Sequence, residues 1–488
     1  MSKTTSGNEE KKVGITSKKE SDFSEWYVQV LINSGFIDYS DVSGAIVFKP
    51  DSYFVWEAIQ KVVDPLFKKY GVQNAYFPLF IPERLLSKEA AHIKGFSAEV
   101  AWVTEAGSSK LDERLAVRPT SETIMYASLS RWVRSWRDLP IRLNQWNNVV
   151  RWEFKHPVPF FRTREFLWNE GHTAFATKEE ADAERDTILA IYEHVLKDYL
   201  AVPYVKGRKT DSEKFAGGLA SFSLEHLLPN GKAIQGPDWH SDGQNFSKAF
   251  DIMFLNREGA KEYVYQNTFA ISTREIGVMI AIHSDNKGLV IPPKVARMQV
   301  VIVPIYTNDN KEAVLGYARE IMSQIRDEFR VFLDDDDAYS PGWKFNEYEL
   351  KGIPMRIEVG RKEVEAQKAT LTRRDTGAKE LVAAADIKSK ISAMLEDMHY
   401  NLYAKAQSYL NSNIFKVDTY AEMKARADKG GFIQAPWCGS DSCEAKIKEE
   451  TGLKSTNMPF DAQDKVQGKK CVYCINGAKY IVNFAKSY

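Results

Sequence analysis

The four cysteines of this 488-residue chain stand in two close pairs near its end, Cys438-x4-Cys443 and Cys471-x2-Cys474. Thiolates so spaced suit tetrahedral zinc, which takes four sulfur ligands, needs no redox chemistry and leaves no open position. Two local disulfides are the other reading, and the lack of secretion features weighs for the metal, in a closed and therefore structural site. A second concentration is Arg151-Trp152-Glu153, the loop Phe154-Lys155-His156-Pro157-Val158-Pro159-Phe160, and Phe161-Arg162-Thr163-Arg164-Glu165-Phe166. Two strands joined by that loop would hold Arg151 and Arg162 over one surface, where guanidinium forks bind phosphate oxygens in pairs. An ion-paired surface hairpin is the bland alternative. Arg118-Pro119-Thr120-Ser121-Glu122-Thr123 precedes an apolar helical stretch and by itself reads as a helix start capped by Ser or Thr. Ser272-Thr273-Arg274-Glu275-Ile276-Gly277 leads into the apolar Val278 to Ile282, and an arginine so placed is, alone, a solvated residue. Gly-x-x-x-x-Gly-Lys-Ser/Thr, Gly-x-Gly-x-x-Gly and His-Glu-x-x-His are all missing, so any nucleotide handling uses another design.

These residues need elements to position them. Tyr53 to Tyr70 carries Val55, Ile59, Val62, Val63, Leu66 and Phe67 on one helical face, and Gly71 ends the helix. The run Ala75-Tyr76-Phe77-Pro78-Leu79-Phe80-Ile81-Pro82 is strand-like, with two prolines that suit an edge or an interface. Strands are expected at Asn147 to Phe154, Glu165 to Ala176 and Phe250 to Leu255, with a charged helix from Lys178 to Leu200 among them. Hairpins mixed with helices, without regular βαβ alternation, predict an antiparallel sheet in an α+β domain. From Met298 the texture changes. Strands at Val300 to Ile305, Val331 to Leu333 and Ile353 to Gly360, with a helix from Lys311 to Phe329, predict a compact α/β domain over 296–400.

The length excludes a single core and predicts two to four domains, at roughly one per 100 to 200 residues. With 44% hydrophobic and 27% charged residues the composition is globular. Lys+Arg and Asp+Glu both count 66, so no overall field draws the chain to nucleic acid or anionic membrane, and RNA contact must rest on local patches. The longest apolar runs, such as Gly277 to Ile282, fall far short of the roughly 18 residues of a membrane span. Met1 to Lys19, rich in Lys, Ser, Thr and Glu, reads as a flexible tail rather than a secretion signal. A soluble, cytoplasmic protein is expected.

Taken together the motifs are more specific than their parts. A helix and strand ending in Pro78, Arg151-x-Glu153 with its second arginine, and Arg274 before a buried helix match the order of the three motifs of class II aminoacyl-tRNA synthetases. The segments Arg118 to Thr123, Val150-Arg151-Trp152-Glu153-Phe154, Arg162 to Trp168 and Gly243-Gln244-Asn245-Phe246-Ser247 resemble prolyl-tRNA synthetases of the archaeal and eukaryotic type, and the resemblance runs from Asp22 to Tyr488. It implies an α+β fold: a flexible tail at 1–19, a class II antiparallel-sheet catalytic domain at 20–295, an α/β anticodon-binding domain at 296–400 and a small α/β zinc-binding domain at 401–488. It also implies ATP-dependent activation of L-proline to prolyl-adenylate, with magnesium accompanying ATP, and transfer to tRNA(Pro).

Proline offers a carboxylate, a cationic secondary amine and a small apolar ring, so its pocket needs a cation, an acceptor and an apolar wall. By the resemblance, Arg151 meets the carboxylate and the ATP α-phosphate, Thr120 and Glu122 take the amine, and Trp168 with His240 bounds the ring, Phe166 and His172 lying behind. It further implies that Arg151, Glu153, Arg162, Thr163, Gln235, Ser272 and Arg274 hold ATP, with Gln235 near magnesium and the Arg274 guanidinium stacked on adenine. Gln235-Gly236-Pro237-Asp238-Trp239-His240 departs from such relatives, which carry small residues where Pro237, Asp238 and Trp239 stand. Cys438, Cys443, Cys471 and Cys474 would hold one zinc ion, and the carboxylate of Tyr488 would lie near the active site. Arg361-Lys362, Lys368 and Arg373-Arg374 are candidates to position the RNA backbone, or else a solvated basic face. The Tyr76 to Ile81 strand would form a homodimer interface, as this motif does in the class. The stretch between Arg164 and Ser272 is too short for a large editing insertion beside the sheet it completes. Three rivals remain: a threonyl or histidyl class II enzyme, an inactive synthetase-like protein, and a zinc-stabilised RNA-binding protein without nucleotide chemistry.

Overall fold

The computed structural model describes residues 14–92, 99–152 and 156–488. They form two compact units, one built from residues 39–46, 56–282 and 403–488, the other from the described residues up to Asp38 with 47–55 and 283–402.

The larger unit is organised by one sheet. Its strands are β1 (Gln73–Asn74), β2 (Ile141–Val150), β3 (Glu165–Phe175), β4 (Val205–Arg208), β5 (Ala220–Leu227), β6 (Ala233–Gly243), β7 (Tyr265–Ala270), β8 (Ile414–Lys416), β9 (Phe432–Trp437), β10 (Lys454–Pro459) and β11 (Tyr480–Ala485). They lie in the order β8-β9-β11-β10-β4-β5-β6-β7-β3-β2-β1. The six strands from β4 across to β2 pair antiparallel throughout, as hairpin connections require. The carboxy-terminal strands continue the same sheet through Met458 opposite Arg208 and Pro459 opposite Gly207.

Helix α1 (Glu122–Trp132) buries Met125, Tyr126 and Leu129, a helical face, against Phe246, Phe250 and Ala174. Each such side chain contributes roughly 1.5–3 kcal/mol of burial. Helix α2 (Lys178–Asp198) starts where Thr177 accepts a hydrogen bond from the Glu180 backbone, and it packs across β3, β6 and β7. Helix α3 (Arg274–His283) begins at the arginine itself.

Three expected strands differ. β2 begins six residues earlier than Asn147 and ends at Val150, because ten successive residues pair with β3 from Ile141 to Val150. Phe250 ends a short helix, Asn245–Phe250, and Asp251 reverses the chain at φ 58 before a strand at Met253–Leu255. In the Ala75 to Pro82 run only Phe80–Pro82 is a strand, pairing with the strand Ser109–Val117.

In the smaller unit, Val331–Leu333, Val300–Pro304 and Met355–Val359 run parallel, followed by antiparallel Lys368–Arg373 and Lys379–Ala383. Val300, Ile302, Met355, Ile357 and Leu371 form its core with side chains of the helices Lys311–Ile325 and Ile387–Ser412. Residue 400 lies inside that last helix. Two cations considered for RNA are already engaged. Arg373 donates to Asp375 at 3.0 and 2.8 Å, and Arg374 to Asp285 at 2.8 and 2.6 Å.

Candidate active site

Strand alternation turns one face of the sheet to α2 and the other to a cavity of about 270 Å³. The register explains what meets there. His172, Thr268, His240 and Ser221 form one row across β3, β7, β6 and β5. Glu170 faces Gln145 and Trp168 faces Asn147 in the next rows, and a bridge from Trp168 brings in Ser272. Glycine is required at Gly171, between Glu170 and His172, where a Cβ would come within 2.0 Å of the Phe269 ring. The cavity thus brings together Thr120, Glu122, Arg151, Trp168, Gln235, His240, Ser272 and Arg274, with Phe166 and His172.

A second cavity of about 190 Å³ holds Arg162 and shares Lys209, Glu213, Gln235 and Arg274 with the first, so the two form one cleft. Thr163 lines neither of these and is 4% exposed, which leaves its side chain behind the cleft surface. Glu153 lies outside the described residues.

The floor of the first cavity is acidic. Thr120 Oγ1 lies between the carboxylates of Glu122 and Glu170, 2.9 Å from Glu170 Oε1. The Ser121 backbone N–H donates to that oxygen at 2.6 Å, and Asn147 Nδ2 donates to Glu170 Oε2 at 3.2 Å. His172 Nε2 stands 3.2 Å from Glu170 Oε1, with Nδ1 3.1 Å from the Tyr126 hydroxyl. Burial works against the Glu170 charge, but the His172 imidazole and the Ser121 donors outweigh it and hold the carboxyl at about 2. Burial would likewise lower His172, and the Glu170 and Glu122 carboxylates reverse this and raise it. Glu122 is pushed up, first by burial. A cationic amine entering here would favour the charged form of Glu122 and so oppose that upward shift.

Cations and rings complete the wall. Arg151 Nε donates to the Pro119 carbonyl at 3.0 Å, and its guanidinium lies 5.4 and 5.5 Å from the ring centroids of Phe166 and Trp168. Trp168 Nε1 is a buried donor without a hydrogen-bond partner among the described residues. Arg274 donates to the carbonyls of Gln235 at 3.0 Å and Phe161 at 3.4 Å, and burial lowers its pKa from the usual arginine value. An anion-binding cleft beside a carboxylate-floored apolar pocket can seat a phosphorylated nucleotide next to a small ammonium compound.

Family models match the chain in three consecutive blocks: the class II core domain of tRNA synthetases (G, H, P, S and T) at residues 102–283, an anticodon binding domain at 299–394, and the prolyl-tRNA synthetase C-terminal domain at 420–488. A proline–tRNA ligase 2 of Bacillus thuringiensis subsp. konkukian is 48% identical over 477 residues, covering 98% of this chain and 99% of that protein. The chain belongs to the prolyl-tRNA synthetases. A putative proline–tRNA ligase of Saccharomyces cerevisiae is 45% identical over 506 residues, covering 98% of this chain and 74% of that one. The crystal structure of prolyl-tRNA synthetase from Cryptosporidium parvum, complexed with halofuginone and AMPPNP, superposes with a TM-score of 0.93 at 44% identity, covering 97% of this chain and 99% of that chain.

In this prolyl-tRNA synthetase the cleft also holds residues that the sequence motifs do not contain. Glu170 is the foremost of them. Alternation was its signal, since Trp168 and His172 flank it at a spacing of two on the same strand face. Asp242, the extra residue at the β6 bulge between Ser241 and Gly243, is buried near Glu122, and burial followed by the Glu122 charge pushes its carboxyl well up. Tyr488 lines the second cavity, its ring 5.1 Å from Phe161 and its backbone N–H donating to the Ala233 carbonyl at 3.2 Å.

The cysteine pairs converge. Their sulfurs all lie within 4.8 Å of one another, Cys438 being 3.7 Å from Cys443 and 3.8 Å from Cys474. Four sulfurs about 2.3 Å from a tetrahedral ion are about 3.8 Å apart, whereas a disulfide needs about 2.05 Å. The donor set fits zinc.

Proposed function

We infer that this chain activates L-proline with ATP and transfers it to tRNA(Pro) in the cytoplasm, with Thr120, Glu122, Arg151, Trp168 and His240 receiving proline. The observation that carries the reading is the cleft itself: Arg151 lines one cavity together with the carboxylates of Glu122 and Glu170 and with Gln235, Ser272 and Arg274. Glu122 takes the amine of proline, with Glu170 holding Thr120 and the Ser121 backbone in place around it. Trp168 and His240 bound the ring. Arg151 neutralises the proline carboxylate and the α-phosphate as they approach, which allows in-line attack and release of pyrophosphate. Arg162, Gln235, Ser272 and Arg274 position the nucleotide, and Glu153 and Thr163 belong to the same set by their place in the motif. Magnesium supplies charge neutralisation on the phosphates when bound with ATP, and Gln235 is the residue to face it. Catalysis here is positioning and charge stabilisation rather than covalent chemistry by the protein.

Proline-dependent exchange of pyrophosphate into ATP, run across the twenty amino acids without tRNA, tests this reading. Exchange with proline far above all others is expected. A preference for threonine or histidine, or no exchange at all, overturns it.

Zinc in the Cys438, Cys443, Cys471 and Cys474 cluster is part of the same reading, as are domain limits at 20–295, 296–400 and 401–488. So is homodimerisation through the edge around Phe80–Pro82, where Tyr76 is 72% exposed and Phe80 42% exposed. Light scattering is expected to give twice the chain mass, and Tyr76→Glu with Phe80→Glu the single mass; a monomeric parent protein refutes the dimer.

A further inference from the structure

We propose that Asp238 couples the two halves of the active site, so that nucleotide and proline each bind more tightly when the other is present. The inference rests on the reading that His240 borders proline and Gln235 meets the nucleotide. All three residues are on β6, whose register sets Asp238 opposite Ser223 and Ala270, and His240 opposite Ser221 and Thr268. Alternation turns Asp238 and His240 to the cleft, while Trp239 points the other way, 1% exposed, with Nε1 donating to Glu184 Oε2 at 3.3 Å.

One oxygen serves both halves. Gln235 Nε2 donates to Asp238 Oδ2 at 2.6 Å, and His240 Nε2 stands 3.4 Å from the same oxygen. A carboxylate only accepts, so the His240 nitrogen facing it carries hydrogen, and in the neutral ring Nδ1, 2.7 Å from Ser221 Oγ, accepts from that hydroxyl. Phe215 stacks on the imidazole with centroids 4.8 Å apart and planes at 21°, and its backbone N–H donates to Ser221 Oγ at 2.8 Å. The ring is therefore held at Nδ1 by Ser221 and on one face by Phe215, while its Nε2 edge is held only loosely, since 3.4 Å is long beside the roughly 2.7–2.9 Å of a charge-assisted N–H···O bond.

The short bond to Gln235 holds the carboxylate back. A nucleotide that draws the Gln235 amide into its own contacts releases Oδ2 to close on His240 Nε2, which pins the ring against which proline packs. Bound proline, by holding that ring, favours in turn the Gln235 conformation that the nucleotide needs. The two effects are one coupling free energy and must be equal in size.

Calorimetric titration of the full chain with proline, without nucleotide and with saturating AMPPNP, measures the coupling directly. The parent protein is expected to bind proline roughly 5- to 100-fold more tightly with AMPPNP. In Asp238→Ala the ratio should fall to within about twofold of one; if that variant does not fold, Asp238→Asn, of the same size, is read instead and should lose at least half of the ratio. Two controls separate this inference from the reading beneath it. His240→Ala should weaken proline without nucleotide, and Gln235→Ala should weaken AMPPNP without proline. If either control leaves its ligand's affinity unchanged, the site assignment fails. If both controls behave and the parent ratio is one, or the Asp238 variant keeps the parent ratio, the coupling is overturned.

Discussion

Glu170 accepts from Ser121 and Asn147, touches Thr120 and faces His172, so it organises the acidic floor of the pocket, the end proposed for the amine. Replacing it by Gln loosens Thr120 and removes a carboxylate that raises the His172 pKa. A hydrogen bond to a charged group is worth about 1.5–3 kcal/mol, so KM for proline should rise roughly 10- to 100-fold in Glu170→Gln while KM for ATP stays put. A fall in kcat with both KM values unchanged would show that Glu170 acts elsewhere. The carboxyl also has a stability signature. Its folded pKa, about 2, lies below the ordinary 4.5, so its contribution is complete above 4.5 and drains away as pH falls towards 2. The Gln variant should therefore show a flatter unfolding midpoint over that span. At this scale the sequence was most readable where residues form a motif, as at Arg151 and Arg274. It was least readable at Asp238, whose role depends on a distance to His240 that spacing along a strand does not give.

Among elements, α2 packs on the face of the sheet opposite the cleft. It places Glu184, fully buried, against the back of the sheet, where Oε2 accepts from Thr173 at 2.8 Å, Asn267 at 3.0 Å and Trp239 at 3.3 Å. Burial outweighs these donors and raises the carboxyl to about 7. The sign is opposite to that of Glu170. A folded pKa above the ordinary 4.5 gives stability that is complete below 4.5 and is lost as pH rises to 7, a difference of roughly 3 kcal/mol by the linkage relation. Glu184→Gln should remove that dependence, so its unfolding free energy gains on the parent between pH 5 and pH 8; parallel pH profiles would refute the assignment. The helix itself was visible in the sequence to within two residues of its end, because Thr177, its acidic first turn and its apolar face are local signals. For the strand expected over Ala75 to Pro82 the end agrees and the start does not, because tertiary pairing with Ser109–Val117 decided where Phe80–Pro82 began.

At the scale of the whole chain, the sheet makes the cysteine site a matter for the active site. β10 and β11 pair within the carboxy-terminal region, whose core includes Cys438, Cys443 and Cys471 with Trp437 and Ile447, and β10 then pairs with β4. Lys454, Ser455 and Thr456 on β10 line the cavity that holds Arg162 and Tyr488. No local pattern announces a pairing between residues as distant in sequence as Arg208 and Met458, so the cysteines read as a separate module while the fold joins their region to the cavity wall through β10. In small zinc domains the binding free energy of the metal, roughly 10–16 kcal/mol, is folding free energy. Elemental analysis of protein purified without chelator is therefore expected to give one zinc per chain. Stripping the metal, or Cys471→Ser with Cys474→Ser, should loosen β10 and β11 first, raising KM for ATP more than KM for proline and lowering the unfolding midpoint. The asymmetry is the decisive part, because the cavity proposed for proline is lined from α1, β3, β5, β6 and β7 and does not draw on β10. Equal losses in both KM values would mean that the cysteine site supports only global stability, and a metal-free protein with full activity would refute the zinc assignment.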